Sequence, residues 1–263
     1  MVERSRRGKG KQKLLGSHQR CWIWGRNVVL ETLRAGRWPI LELHLSDRFT
    51  PAELQSAREL AAGYNVDVSI ASTAELSRRC RSAEHQGYVA KMPPFPYDDV
   101  EQLLRTPPER PLYAILDSIQ DPYNFGAIIR SAEVLGVDAV FVGSARQAEV
   151  TSLVARSSAG AVNHIPIARV ENLVALVETL QTRSVQIVGA SEKGETNLYD
   201  FDLRRPTAII IGNEGTGILA DLLDRCDRLV SIPQFGHVPA LNAAVAAGIL
   251  FYEAHRQRAA GEE

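Results

Sequence analysis

The chain is 263 residues long, 45% hydrophobic and 23% charged, ordinary values for a globular protein with room for one large or two modest domains. No apolar run approaches the roughly 20 residues that cross a bilayer, and the amino terminus lacks the apolar stretch of a secretory signal. The expectation is therefore a cytoplasmic protein with no membrane partner. Cys21, Cys80 and Cys226 are odd in number and widely spaced, with no metal-ligand pattern and no disulfide framework, and read as reduced structural thiols.

The formal net charge of −1 conceals an asymmetry. Residues 1–20 carry Arg4, Arg6, Arg7, Lys9, Lys11, Lys13 and Arg20 against Glu3 alone. Taking these from the totals of 30 basic and 31 acidic residues leaves the remainder at −7. Without hydrophobic periodicity, 1–20 is expected to be a basic disordered tail. Such an arm binds phosphate non-specifically or simply stays solvated, and both readings stand.

Residues 21–92 alternate strands and helices. Leu41–Leu45 reads as a strand, Pro51 opens a helix through Ala62 that Gly63 ends, Val66–Ile70 is a second strand, and Thr73 begins another helix. His85 stands in a loop before a strand, where a hydrogen-bonding structural role is the commoner one. Arg78, Arg79 and Arg81 form a basic cluster that suits a solvated helix face or an RNA contact. Residues 93–111, with Pro93, Pro94, Pro96, Pro107, Pro108 and Pro111 around a short acidic helix, read as a stiff linker.

From Leu112 to the end the pattern is regular. Short apolar runs at 113–116, 139–142, 165–167, 185–189, 208–211 and 229–232 suit buried strands, and helical patterns fall at about 125–135, 150–159, 171–182, 216–223 and 241–257. This alternation implies an α/β fold with a parallel sheet covered by helices on both faces.

Three segments in this region carry potential chemistry. In the first, Asp121-Pro122 offers a capping carboxylate and a proline suited to the first helical position, and Asn124 and Arg130 follow on one helix. Gly126 lets a backbone or substrate approach closely. Asn124 as a cap with Arg130 pairing to Asp121 would explain the segment equally well. In the second, Gly212, Gly215 and Gly217 after an apolar strand imply a tight loop. Glu214 repels phosphate and no P-loop lysine pattern is present, so an adenosine bearing a cationic sulfonium fits better. In the third, Ile232-Pro233 is followed by Leu241-Asn242 at the start of an Ala-rich helix.

Together, in order, these segments resemble the Asn-x-Gly-x-x-x-Arg, Gly-x-Glu-x-x-Gly and Ile-Pro/Leu-Asn motifs of the SpoU (TrmH) family of RNA ribose 2′-O-methyltransferases, in the SPOUT superfamily. Ser157–Ala161 is similar to the family's small-residue segment. The amino-terminal module, through 23–29 and 85–89, resembles the small L30e/L7Ae-like α/β domain of these enzymes. Between the disordered tail (1–20) and the linker (93–111) read from composition, the resemblance implies an RNA substrate-binding domain (21–92), and after the linker a methyltransferase domain (112–263) with a trefoil knot. It implies catalytic roles for Asn124, Arg130, Glu214 and Asn242, a pocket for S-adenosyl-L-methionine lined by Gly212, Ile232 and Leu241, and no metal. It also implies a homodimer acting on a guanosine of 23S ribosomal RNA, with tRNA ribose methylation, resistance methylation or a non-catalytic RNA-binding assembly factor as alternatives. Two positions depart from the family: Ala240 stands where most relatives have Ser, and Gln234 where many have Met.

Overall fold

In the computed structural model, which describes residues 22–260 apart from Asn65 and Pro239, the chain divides into two units. The basic tail expected at 1–20, and Cys21, lie outside the described residues. One unit takes residues up to Pro96 together with Val150–Arg156; the other takes Tyr97–Glu149 and Ser157 onward. No helix of the described residues is long and apolar enough to cross a membrane.

The first unit contains β1 (Trp22–Trp24), α1 (Arg26–Ala35), β2 (Glu42–Ser46), α2 (Pro51–Ala62), β3 (Asp67–Ala71), α3 (Thr73–Cys80) and β4 (Tyr88–Lys91). Its sheet runs β1-β4-β2-β3, with β4 antiparallel to β1 and β2, and β2 parallel to β3. Local chemistry sets the helix ends. Thr50 Oγ1 accepts from Glu53 N at 3.3 Å while Glu53 Oε2 accepts from Thr50 N at 2.8 Å, a reciprocal cap that places Pro51 at the first helical position. Gly36 ends α1 at φ 64°, a left-handed conformation costly for other residues. Helix α1 is not among the elements expected from the sequence. Leu76 and Cys80 of α3 pack with Trp24, Ala71 and Val89 on one sheet face. His85 is buried; its Nδ1 accepts from Gly87 N at 3.0 Å and its Nε2 lies 3.2 Å from Ser77 Oγ, so it shapes the turn into β4. Arg79 pairs with Glu75 at 2.7 Å, whereas Arg78 and Arg81 are exposed with no side-chain partner among the described residues.

The second unit is built from α4 (Val100–Arg105), β5 (Leu112–Leu116), α5 (Pro122–Val134), β6 (Ala139–Gly143), the last residue of α6 (Ser152–Ser157), β7 (Ile167–Val170), α7 (Leu173–Thr182), β8 (Gln186–Ala190), β9 (Thr196–Asn197), β10 (Thr207–Ile211), α8 (Ala220–Leu223), β11 (Arg228–Ser231) and α9 (Ala243–Ala259). Its seven strands are all parallel, in the order β7-β6-β5-β10-β8-β11-β9. The near-continuous apolar strands follow from burial on both faces. On one face Tyr113, Ile115, Phe141, Ala208 and Ile210 pack with Leu104 of α4, Leu176, Val177 and Leu180 of α7, and Leu222 of α8. The alternate strand residues point the other way, where α5 and α9 bury Phe125, Ile128, Ile129, Ala247, Leu250 and Phe251. Residues 97–105 therefore contribute core to this unit, with Leu104 only 3% exposed.

The expected parallel sheet with helices on both faces is what the chain forms, with local differences. The strand expected at 165–167 begins instead at Ile167, because the 3₁₀ turn Ala161–Asn163 precedes it and Pro166 has no N–H to add to the ladder. The helix expected from 216 starts at Ala220, since a hairpin closed between Asn213 and Gly217 occupies the preceding residues. Near the end of α9, Arg258 donates to the carbonyls of Arg110, Pro111, Leu203 and Arg205 at 2.7, 3.2, 3.0 and 2.9 Å, fastening the last helix to the entry strands of the sheet.

Candidate active site

In a parallel α/β sheet, ligands gather outside the carboxyl ends of strands, where the strand order reverses. Here the order reverses between β5 and its neighbour β10: after β5 the chain moves outward to β6 and β7, then returns on the other side through β8. The segments after these two strands are the first two motifs. Asp121 caps α5, its Oδ1 accepting from Tyr123 N at 3.0 Å with Pro122 in the first turn, so Asn124 stands in the opening turn of the helix. After β10 the chain folds back at once: Asn213 N donates to Gly217 O at 3.0 Å and Gly217 N to Asn213 O at 2.9 Å. A Cβ at Gly212 would stand 2.4 Å from Gly217 C and Ile218 N, so only glycine allows this return. Gly217 needs glycine for another reason, its φ of +70°.

Three of the four residues expected to be catalytic meet in one directed chain of hydrogen bonds. Asn242 is the N-cap of α9; its Oδ1 accepts from Ala244 N at 2.9 Å and Val245 N at 3.3 Å. That commits its amide nitrogen to the other side, where Nδ2 donates to Asn124 Oδ1 at 2.9 Å. Asn124 Nδ2 in turn donates to Glu214 Oε1 at 2.9 Å. The cap thus fixes both amide orientations, since each Asn oxygen already accepts and each nitrogen must donate. The relay ends on a carboxylate in an exposed loop.

Arg130 stands outside this relay. It lies six residues beyond Asn124 on α5, exposed, with no hydrogen bond or ion pair among the described residues, and Asp121 is occupied with its helix cap. Of the residues expected at a cofactor pocket, Gly212 and Leu241 directly precede the hairpin's Asn213 and the cap Asn242, and Ile232 follows the carboxyl end of β11. Leu241 is 41% exposed and Ile232 half-buried, leaving apolar surface beside an anionic loop. Such a lining suits a neutral heterocycle joined to a separate cationic group and disfavours a phosphate ligand.

Sequence reasoning did not single out the residues that hold the two loops together. Asn213 Oδ1 accepts from Gly215 N at 2.9 Å and Thr216 N at 3.0 Å, while its Nδ2 donates to Ser118 O at 2.8 Å and to Glu214 Oε2 at 3.3 Å. Asp117, buried at the end of β5, accepts from Leu219 N at 2.7 Å and from Ser118 Oγ at 2.9 Å. Ser118 itself takes a φ of 63°, an uncommon left-handed conformation for a residue with a side chain. The available signal was position: an Asp ending one apolar strand, and an Asn directly after the glycine that ends another.

Residues 111–252 match the SpoU rRNA Methylase family, and residues 22–98 match the RNA 2′-O ribose methyltransferase substrate binding family. The chain is 33% identical over 245 residues to the putative TrmH family tRNA/rRNA methyltransferase YacO of Bacillus subtilis (strain 168), covering 92% of this chain and 98% of that one. Among solved structures, the SpoU methyltransferase AviRb from Streptomyces viridochromogenes in complex with AdoMet superposes with a TM-score of 0.78 at 28% identity, covering 96% of this chain and 94% of that one. The AdoMet-bound rRNA methyltransferase from Sinorhizobium meliloti gives a TM-score of 0.78 at 25% identity, covering 93% and 90%.

Proposed function

This chain belongs to the SpoU rRNA methylase family, and from that membership and the site's geometry we propose how it works as an S-adenosylmethionine-dependent RNA ribose 2′-O-methyltransferase, and on what. The single observation that carries the mechanism is the directed relay from Asn242 through Asn124 to Glu214 at the β5/β10 reversal. Gly212, Ile232, Leu241 and Glu214 would hold S-adenosylmethionine, which would supply a methyl carbon made electrophilic by its sulfonium. Glu214, held by two amide donors, keeps its carboxylate fixed in place as a counter-charge and hydrogen-bond acceptor. Arg130 serves as the phosphate-holding fork. Its planar, permanently cationic fork orients the ribose through an adjacent phosphate and offsets negative charge developing on the 2′-oxygen. Much of the acceleration would then come from holding the oxygen in line with the methyl carbon, the sulfonium leaving as a neutral thioether and the hydroxyl proton passing to water.

The preferred substrate is 23S ribosomal RNA, at a guanosine ribose. Supporting this, the likeness to the Sinorhizobium meliloti rRNA methyltransferase runs through both units of the chain. Transfer RNA is the alternative, since YacO is described as a tRNA/rRNA methyltransferase. The first unit is the RNA-binding module, with the free Arg78 and Arg81 as candidate phosphate contacts. The place of action is the cytoplasm, where these RNAs are.

A homodimer completes the site. Between α5 and α9 lies a groove of about 460 Å³ lined by Ala127, Ser131, Val245, Gly248, Ile249 and Tyr252, and Arg130 sits in sequence between the first two. Val245 and Tyr252 are 51% and 57% exposed, a patch suited to a second copy. Each Arg130 would then stand beside the partner's pocket, consistent with its lack of a partner among the described residues. The trefoil knot belongs to the same proposal: the chain leaves β11 at the far side of β8, yet Asn242 returns to bond Asn124 after β5.

The test is ribose-methylation mapping across total RNA from cells with and without the protein, followed by in vitro transfer with purified RNA. One 2′-O-methylated guanosine in 23S RNA should depend on the chain; a dependent tRNA nucleotide would instead establish the alternative. Arg130→Ala should lose methyl transfer while keeping its melting temperature and S-adenosylmethionine affinity, and near-normal turnover would overturn its assignment.

A further inference from the structure

The loop leaving β11 carries the most exposed large apolar side chain of the described residues, Phe235 at 94%, with Val238 three positions later at 73%. Around it there is room: a Cβ built on the adjacent Gly236 meets nothing within 4 Å. The ring has no aromatic or cationic partner among the described residues. The other strongly exposed rings, Tyr123, Tyr199 and Tyr252, each carry a hydroxyl that water can satisfy, and Phe235 has none.

We propose that Phe235 is a stacking platform for an unpaired RNA base beside the ribose that is methylated, an inference that rests on the RNA methyltransferase reading above. Position supports it. The ring lies three residues after Ile232 and seven before Asn242, on the segment joining pocket to relay. Charge supports it as well. Residues 232–242 contain no Asp, Glu, Lys or Arg, so this loop neither grips phosphates nor repels RNA, and the face of a base is what a neutral ring can hold. Gln234 and His237, both exposed and flanking the ring, supply amide and imidazole groups for the edge of the same base. Unpaired bases splayed from RNA are characteristically held in this way, stacked on an aromatic face and read at their edges.

Three variants test it: Phe235→Ala, Phe235→Leu and Phe235→Trp, each measured for RNA KM, S-adenosylmethionine affinity and molecular mass in solution. The Ala and Leu variants should raise the RNA KM roughly tenfold, the scale of one lost base stack, with donor affinity and mass unchanged. The Trp variant should keep turnover and show fluorescence quenching on adding substrate RNA, beyond that of the parent protein, with no added change on S-adenosylmethionine alone. A Leu variant indistinguishable from the parent would overturn the proposal, as would a loss of donor affinity or of the dimer with the RNA KM unmoved. If the parent methylates no RNA the functional reading fails separately, and the Phe235→Trp quenching with RNA still decides the platform.

Discussion

Asn213 shows how a site depends on a residue whose side chain need not touch substrate. Its amide fills both arms of the 212–218 hairpin and ties it to Ser118 after β5, so Asn213→Ala should loosen the loop that presents Glu214. The expected result is weaker S-adenosylmethionine binding by calorimetry and faster amide exchange at Gly215 and Thr216. Asn242 acts on two levels at once. Asn242→Ala removes the cap of α9, about 1 kcal/mol of stability, and also frees the Asn124 amide to rotate. Turnover should therefore fall by more than the melting temperature suggests; an unaffected kcat would show that the relay is only structural. His44 in the first unit gives a pH test. Burial first, then the charge of Arg79, hold its imidazole below the ordinary value of 6.5, against the opposing pull of Glu42. Because the folded value lies below the unfolded one, protonation favours the unfolded chain. The stability that the neutral ring contributes is present above pH 6.5 and lost as the pH falls through the folded value. Between about pH 7 and 5 the parent should lose more melting temperature than His44→Gln does. Cys226 is inert for a related reason, its thiol pushed up to about 11 by burial.

At the scale of elements, α9 has apolar residues around most of its circumference. Ala247, Leu250, Phe251 and Ala254 are buried against the unit's own core, while Val245, Ile249 and Tyr252 face outward. Periodicity in the sequence cannot separate the two, since an interface and a core ask for the same side chains. What fixes the helix is its ends: Asn242 at the start, Arg258 near the finish. Arg258→Ala leaves the carbonyls of Leu203, Arg110, Pro111 and Arg205 without that donor, and should cost about 2 kcal/mol in denaturant unfolding. Arg258→Lys should recover only part, because a single ammonium cannot span four acceptors as a planar fork does. Strands were legible for the opposite reason. Runs such as Ala208–Ile211, apolar at every position, leave no face for water and so imply a strand covered on both sides.

For the whole molecule, the proposed dimer carries the consequence for activity. Tyr252→Asp would place a charge in the α5–α9 groove. It should yield a monomer by light scattering, with methyl transfer lost and each unit still folded. A fully active monomer would show that one chain supplies its own Arg130. Prolines between 93 and 111 mark a change of composition, but whether a short helix there is free or packed depends on a partner surface. Leu104 meets α7 and the sheet, which no local pattern announces.

The sequence by itself determined what depends on neighbours along the chain: the helix start at Pro51, the cap at Asp121, the buried strands, the glycine-bound return after β10, and the identity of the motif side chains. Tertiary structure decided which of those side chains meet. Asn124 and Glu214 are 90 positions apart, and Asn124 and Asn242 are 118 apart. They touch only because β10 pairs beside β5 and α9 returns over α5. Arg130, printed in the same motif as Asn124, was separated from the relay by the turn of a single helix. Strand order and hydrogen-bond direction are set by long-range packing, and composition over a short window holds no record of either.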